Sequence, residues 1–308
     1  MNRRPLVAAF AATVFAAARR AAAQTVRIWR IGFIVPRASS GDPARAAGIA
    51  AFHDAMRERG YVAGRDYSLE EHSVDGRNER YAEIANQLVA SQVDLLLVPG
   101  TSAALAAQRA TATISVVFLS ASDPVGTGLV ASLARPGGNI TGRSTITAEL
   151  DPKRLELLRE AVPGLASVAV LIVVLPGGSG APSVLERALA GVEAAGRQVG
   201  VRIQPVRLQG APALDAALAQ IRSLRPGGLY QSSGWVRGGG LMSYGPNNTD
   251  EMRRIAAYID KIFSGAQPSA LPVKQPTQIE LVINLLTAKA LGLASPPSLL
   301  LRADEVIQ

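Results

Sequence analysis

The run VDLLLVPG (residues 93–100) passes straight into TSAALAAQRA (101–110), and this junction constrains the fold more than any other stretch. A short, unbroken apolar run is the pattern of a strand buried on both faces, as in a parallel sheet. The segment that follows opens on a hydroxyl residue and predicts a helix. Parallel neighbours can be joined only through such crossovers, which are right-handed. The arrangement recurs. WRIGFIVP (29–36) reads as a strand and GDPARAAGIAAFHDAMRERG (41–60) as a helix closed by Gly60. YSLEEHSV (67–74) and RNERYAEIANQLVAS (77–91) are the next pair, and ISVVFLSASDP (114–124) is a fourth strand. The expected class is α/β with doubly wound parallel sheets.

RPGGNITG (135–142) reads as a turn-rich break where the chain crosses into a second domain. Beyond it come a helix (151–164), a buried strand (167–176), a helix (181–200), a strand (201–208) and a helix (211–226). Then follow the glycine-rich stretch 227–246, a helix (248–265), and a tail read as a strand, a short helix and a last turn.

Half of the formal charge of +8 comes from Arg3, Arg4, Arg19 and Arg20, within 23 residues that hold no acid. The other basic residues are scattered and form no stripe with aromatics, so no nucleic-acid partner is expected. The same 23 residues read as an export signal: a basic start, an apolar stretch too short to span a bilayer, and small residues before a cleavage point after Ala23. The chain has no cysteine, which excludes disulfides, thiolate metal sites and a lipid-anchor thiol. A soluble periplasmic protein is expected.

Catalytic patterns are missing. GTSAA and GGSGA lack the last glycine of a nucleophile elbow, and His53 and His72 precede both. Neither histidine has a spaced metal-binding partner, and VRGGGL lacks the Gly-Lys-Ser/Thr ending of a phosphate loop. The chain is expected to be no enzyme and to carry no cofactor or metal.

What remains are polar strand ends. In open α/β sheets ligands bind at the carboxyl ends of strands, where helix N-termini offer free N–H groups. Ser39 follows the first strand. Thr101 and Ser102 start a helix after the third, and hydroxyls with amides there suit a carboxylate. Ser122 and Asp123 follow the fourth. Ser179 lies in the matching loop LPGGSGAPS (175–183), and Gln231 and Ser232 follow the scrap at 228–230. One such hydroxyl is an ordinary helix cap; several along one edge of two domains describe a cleft.

Seven ordered segments carry a resemblance: GYVAGRDYSLEEHSVDGRNERYAEIANQLV, PGTSAALAAQ, ASDPVGTGLVASLARPGGNITG, ELDPKRLELLREAVP, GGLMSYGPN, QPTQIELVINLLTAKALGL and PPSLLLRADEVI. From about residue 31 onward the chain resembles ABC transporter substrate-binding proteins related to the tryptophan/tyrosine uptake binding protein. The resemblance implies a two-lobed type I periplasmic-binding-protein fold that closes over a small ligand by a hinge motion and presents it to an inner-membrane permease. It implies a carboxylate-holding helix start at Thr101 and Ser102, a second ligand loop at Ser122–Asp123, and a monomer. The expected organisation is a signal peptide at 1–23, a first lobe at 29–140 completed by parts of 246–308, a second lobe at 141–240, and hinge and C-terminal segments at 241–308. Crossings are expected near 138–142, 240–245 and 276–281.

One departure stands out. RPGGL joins YQSSGWVRGGGLMSYG directly, where relatives place a further strand and helix of about thirty residues. A second lobe short of one strand–helix unit near 228–230 is expected, with altered pocket walls. Two readings follow: an importer's solute-binding component taking an amino acid or related small acid, or a degenerate or sensory homologue without transport.

Overall fold

The computed structural model describes residues 27–36, 43–174, 182–209, 214–230, 236 and 239–308. The expected export signal lies outside these, as do Ser39, Ser179, Gln231 and Ser232.

Five parallel strands form the first sheet, in the order β2-β1-β3-β4-β5. They are β1 (Trp29–Val35), β2 (Tyr67–Ser73), β3 (Leu95–Gly100), β4 (Ser115–Ala121) and β5 (Ile140–Ser144). The helices that join and cover them are α1 (Pro43–Glu58), α2 (Arg80–Ala90), α3 (Thr101–Ala110) and, from far along the chain, α7 (Asn248–Phe263). The apolar run at 95–98 lies at the centre because its side chains satisfy both faces at once. Leu95 and Leu97 pack with Phe52 and Met56 of α1 and with Ile255 and Ile259 of α7. Leu96 and Val98 pack with Ile84 and Leu88 of α2 and with Ala103 and Ala107 of α3. Full burial of each such side chain is worth about 1.5–3 kcal/mol.

The stretch 135–142, read from sequence as a turn, ends in a strand. Ile140 to Ser144 form β5 and pair with β4, with a register shift between Phe118 and Ala121. A two-glycine turn signal hid a strand only five residues long. Gly142 makes this approach possible. Its φ is 151°, and a Cβ there would lie 2.1 Å from the Phe118 carbonyl oxygen.

Among the described residues, the second lobe carries two three-stranded sheets. One has the order β7-β6-β8, all parallel, from β6 (Ser167–Val174), β7 (Arg202–Gln209) and β8 (Gly228–Tyr230). The other has the order β11-β10-β9, with β9 (Met242–Pro246) antiparallel to β10 (Ile279–Asn284) and β11 (Glu305–Ile307) parallel to it. Both β9 and β11 went unread in the sequence, since glycine, proline and shortness mask them.

Helix α4 (Thr147–Ala161) serves both sheets. Its Leu155 packs with Val168, Val170 and Tyr230 and with α5 (Pro182–Val199), while Leu157 packs with Leu281 and Ile283 of β10. The opposite face of the β7-β6-β8 sheet is covered by α6 (Leu214–Leu224), through Ala217 against Val206 and Leu208. The short helices α8 (Leu285–Ala290) and α9 (Pro297–Leu300) complete the C-terminal end.

The chain crosses between lobes three times. It leaves β5 for α4 after Ser144, leaves β9 for α7 at Asn247, and returns from Val273–Lys274 to β10 at Ile279. The first and third crossings lie side by side: the Ser144 N–H donates to the Lys274 carbonyl at 3.0 Å, and the Lys274 N–H to the Gly142 carbonyl at 3.3 Å.

Candidate ligand site at the edge of the first sheet

Strands β3, β4 and β5 end along one edge, and each delivers hydroxyl groups there. Residue Gly100 is the N-cap of α3 in extended conformation and offers no side chain to the helix, so the first-turn amides of α3 have no side-chain cap. Thr101, the first residue of the helix, uses its hydroxyl elsewhere. Its Oγ1 accepts the Ser122 N–H at 2.9 Å and so ties the start of α3 to the end of β4. The Ser122 hydroxyl in turn lies 3.1 Å from the Thr145 Oγ1, just beyond β5. Ser120 donates to the Pro99 carbonyl at 3.0 Å. Ser102 follows Thr101 in the first helical turn and is half-buried.

The structure therefore brings Thr101, Ser102 and Ser122 together. Asp123 is adjacent and serves the loop: its φ of 45° turns the chain, and its carboxylate accepts the Gly126 N–H at 2.9 Å. Its carbonyl accepts the Thr127 hydroxyl at 2.9 Å. This Asx-type turn fixes where Ser122 stands.

Thr145 was missed by sequence reasoning. The available signal was β5 itself: once 140–144 is a strand, the residue after it must fall on the same edge as the residues after β3 and β4. The shelf so formed has neutral hydroxyl groups beside uncapped helix amides, a combination suited to a carboxylate or another small anion-bearing group. Among the described residues, no three His, Cys, Asp or Glu side chains group to hold a metal ion.

The second lobe offers a different polar arrangement. Asp151, in the second turn of α4, accepts the Tyr230 hydroxyl at the end of β8 and Arg154 Nη1 at 3.1 Å. Arg154 Nε donates to the Tyr244 carbonyl in β9 at 2.7 Å. This cluster links the two small sheets through α4. Burial pushes the Asp151 carboxyl above its usual range, overcoming the opposing pull of Tyr230 and Arg154. Burial, and then the Asp151 charge, pushes the Tyr230 phenol up as well.

Comparison with known proteins gives this geometry its setting. A family pattern described as ABC transporter substrate binding protein matches residues 39–187 and 229–307. The unmatched stretch between them lies in the second lobe, and the match resumes at β8. A tyrosine-binding protein from Clostridioides difficile is 32% identical over 120 residues, which are 39% of this chain and only 34% of that protein's length. A conserved domain protein of Vibrio cholerae superposes with a TM-score of 0.79 at 24% identity, over 91% of this chain and 100% of that one. An ABC domain from Streptococcus pneumoniae, solved in complex with L-Trp, superposes with a TM-score of 0.76 at 22% identity and the same coverage. With its family pattern matched over well more than half its length, this chain belongs to the ABC transporter substrate-binding proteins and has their two-lobed type I periplasmic-binding-protein fold.

Proposed function

We propose that the protein is the exported, periplasmic solute-binding component of an ABC-type importer and delivers its ligand to an inner-membrane permease. The ligand is an amino acid or a related small acid, held between the lobes. The observation that carries this reading is the joint placement of Thr101, Ser102, Ser122 and Thr145 at the uncapped start of α3. In this reading Thr101 and Ser102 receive the carboxylate, Ser122 adds a hydroxyl, and Asp123 holds the turn. Ser39, Ser179, Gln231 and Ser232 supply the remaining contacts, and the protein acts as a monomer. The amino acids bound by the two relatives, tyrosine and tryptophan, come first among candidates.

Thermal unfolding of the mature chain with a panel of amino acids and small acids tests this. A ligand at a hundredfold over its Kd stabilises by about 2.7 kcal/mol. With about 2.1 cal/mol/K of unfolding entropy per residue, that raises Tm of the mature chain by roughly 4–5 °C. Thr101→Val should remove most of the shift. No shift with any member of the panel would overturn the reading.

A second reading rests on one observation. Leu229 of β8 is 51% exposed and points to the face that Ala169 shares with α6, where Leu214 is 44% and Leu218 37% exposed. These are the neighbours a further strand–helix unit would cover, so the second lobe is read as shortened at β8. A lobe trimmed there fits a binding-protein homologue that senses without transport, or that has lost its ligand, and a panel without any shift favours the loss.

A further inference from the structure

We infer that Arg143 is the positioning residue of the hinge, clamping all three lobe crossings at their first-lobe ends. Arg143 lies in β5, one residue before the first crossing, and is 1% exposed. Its guanidinium forms a two-pronged pair with Glu251, in the first turn of α7 immediately after the second crossing. Arg143 Nη2 also donates to the Gln275 carbonyl at 3.3 Å, at the start of the third crossing. One buried side chain thus touches each of the three connections.

A second tie supports the same junction. The Thr141 hydroxyl donates to the Leu271 carbonyl at 2.6 Å, which fastens β5 to the segment leading into the third crossing. On the far side the contacts are of another kind: Asn247 Nδ2 donates to the Glu280 carboxylate at 2.9 Å, linking the second and third crossings to each other but not to the first.

The chemistry suits a clamp. A guanidinium offers a flat, rigid fork that fits a carboxylate in one geometry. Removing its partner would leave a buried charge uncompensated, so the three connections cannot separate independently. Bending is then confined to the residues beyond the clamp, at 145–146, at Asn247 and at 276–278. The first of these carries Thr145, whose hydroxyl meets Ser122 in the candidate site. Occupancy of that site, in the reading proposed above, acts on the same connection that Arg143 holds.

The absence of cysteine makes the test direct. Spin labels on Ala90→Cys in α2 and Ala190→Cys in α5, both exposed positions, report the distance between lobes. In the ligand-free protein, Arg143→Met and Glu251→Gln should each broaden the distance distribution. Arg143→Lys, which keeps charge but loses the fork, should broaden it less. Leu155→Ala, a buried second-lobe change away from the crossings, should lower Tm without broadening. A distribution unchanged in both Arg143→Met and Glu251→Gln overturns the inference, as does equal broadening in Leu155→Ala.

Ligand readout separates this from the functional reading. If L-tryptophan or L-tyrosine narrows the wild-type distribution, Arg143→Met should weaken apparent affinity about tenfold by depleting the closure-competent population. If neither ligand alters the wild-type distribution, the functional reading fails for those two ligands, and the ligand-free widths still decide the clamp.

Discussion

The two lobes solve the same packing problem with unequal means. The first has one five-stranded sheet, with β3 at its centre and helices on both faces. The second, among the described residues, divides six strands between two sheets and relies on α4 to serve both. In the first lobe, polar groups stand at the sheet edge and the interior is apolar throughout its central strands. In the second, a charged and hydroxylated cluster, Asp151–Arg154–Tyr230, sits at the joint between the sheets. The difference teaches that a continuous sheet confines its buried charge to Arg143 in the edge strand β5 and leaves hydroxyl groups at its central strand ends, whereas a divided sheet places its buried charge at the joint between its halves.

The largest expected effect comes from the closest backbone approach in the first lobe. Gly142→Ala would put a methyl group 2.1 Å from the Phe118 carbonyl oxygen, at a φ of 151° that side chains avoid. Backbone strain and the clash together should cost about 3 kcal/mol or more. Gly164 in the second lobe is the matched control. Its φ is 74° and nothing lies within 4 Å of where the new methyl group would stand, so Gly164→Ala should cost only about 1–2 kcal/mol. Urea unfolding followed by tryptophan fluorescence measures both. Equal losses would mean that the β4–β5 approach tolerates a side chain and that the first lobe is looser than its packing indicates.

A smaller contrast concerns two buried phenols. Tyr230→Phe removes a donor from a buried carboxylate, which should cost about 1–3 kcal/mol. Tyr67→Phe in the first lobe breaks a contact of 2.6 Å with His53 Nδ1, between groups of which neither needs a charge compensated. Burial pushes that phenol up to about 12, so it stays protonated. Its loss should cost about 1 kcal/mol. If Tyr67→Phe proves the more damaging, the polar joint is not what holds the second lobe.

The lobes also differ in how legible they are. Strand β3 opens on the apolar run 95–98, β6 is apolar after Ser167 and β1 is apolar and buried from Ile31 onward, and burial on two faces leaves few other ways to use such sequences. Thr101 and Ser102 were visible because a helix start follows β3 without a linker. Strands β5 and β9 were hidden, since both are five residues long and carry the glycines of a crossing, and local composition there reports the turn rather than the pairing. Thr145 was lost with β5. Arg143 could not have been found at all from local pattern: its partner is 108 residues away, and an arginine after a glycine reads as surface. Charge placement across a hinge is a property of the folded chain.

The gentlest prediction turns on the sign of proton uptake. In the first lobe, the Arg30 hydrogen bond holds the Glu70 carboxyl below its ordinary range, and the Ser73 hydroxyl, helped by Arg80, does the same for Asp75. Burial, and then the Arg57 charge, lowers His53. Groups with depressed folded values bind fewer protons folded than unfolded, so their contribution is present at neutral pH and lost as pH falls through the folded values. Asp151 has the opposite sign. Its carboxyl is raised by burial, the folded second lobe binds the extra proton, and stability there declines as pH rises from the ordinary carboxylate value toward the raised one. One proton limits the slope to about 1.4 kcal/mol per pH unit. Hydrogen exchange resolved by segment should therefore show protection rising with pH in β2 below about pH 4.5, where Glu70 and Asp75 lose their protons, and in α1 as pH climbs toward the ordinary imidazole value. It should fall in β8 and the first half of α4 as pH climbs above the ordinary carboxylate value of about 4. Asp151→Asn should flatten the second trend and leave the first alone. Superimposable profiles for the variant and the parent would place the second lobe's acid response outside the Asp151–Tyr230 joint.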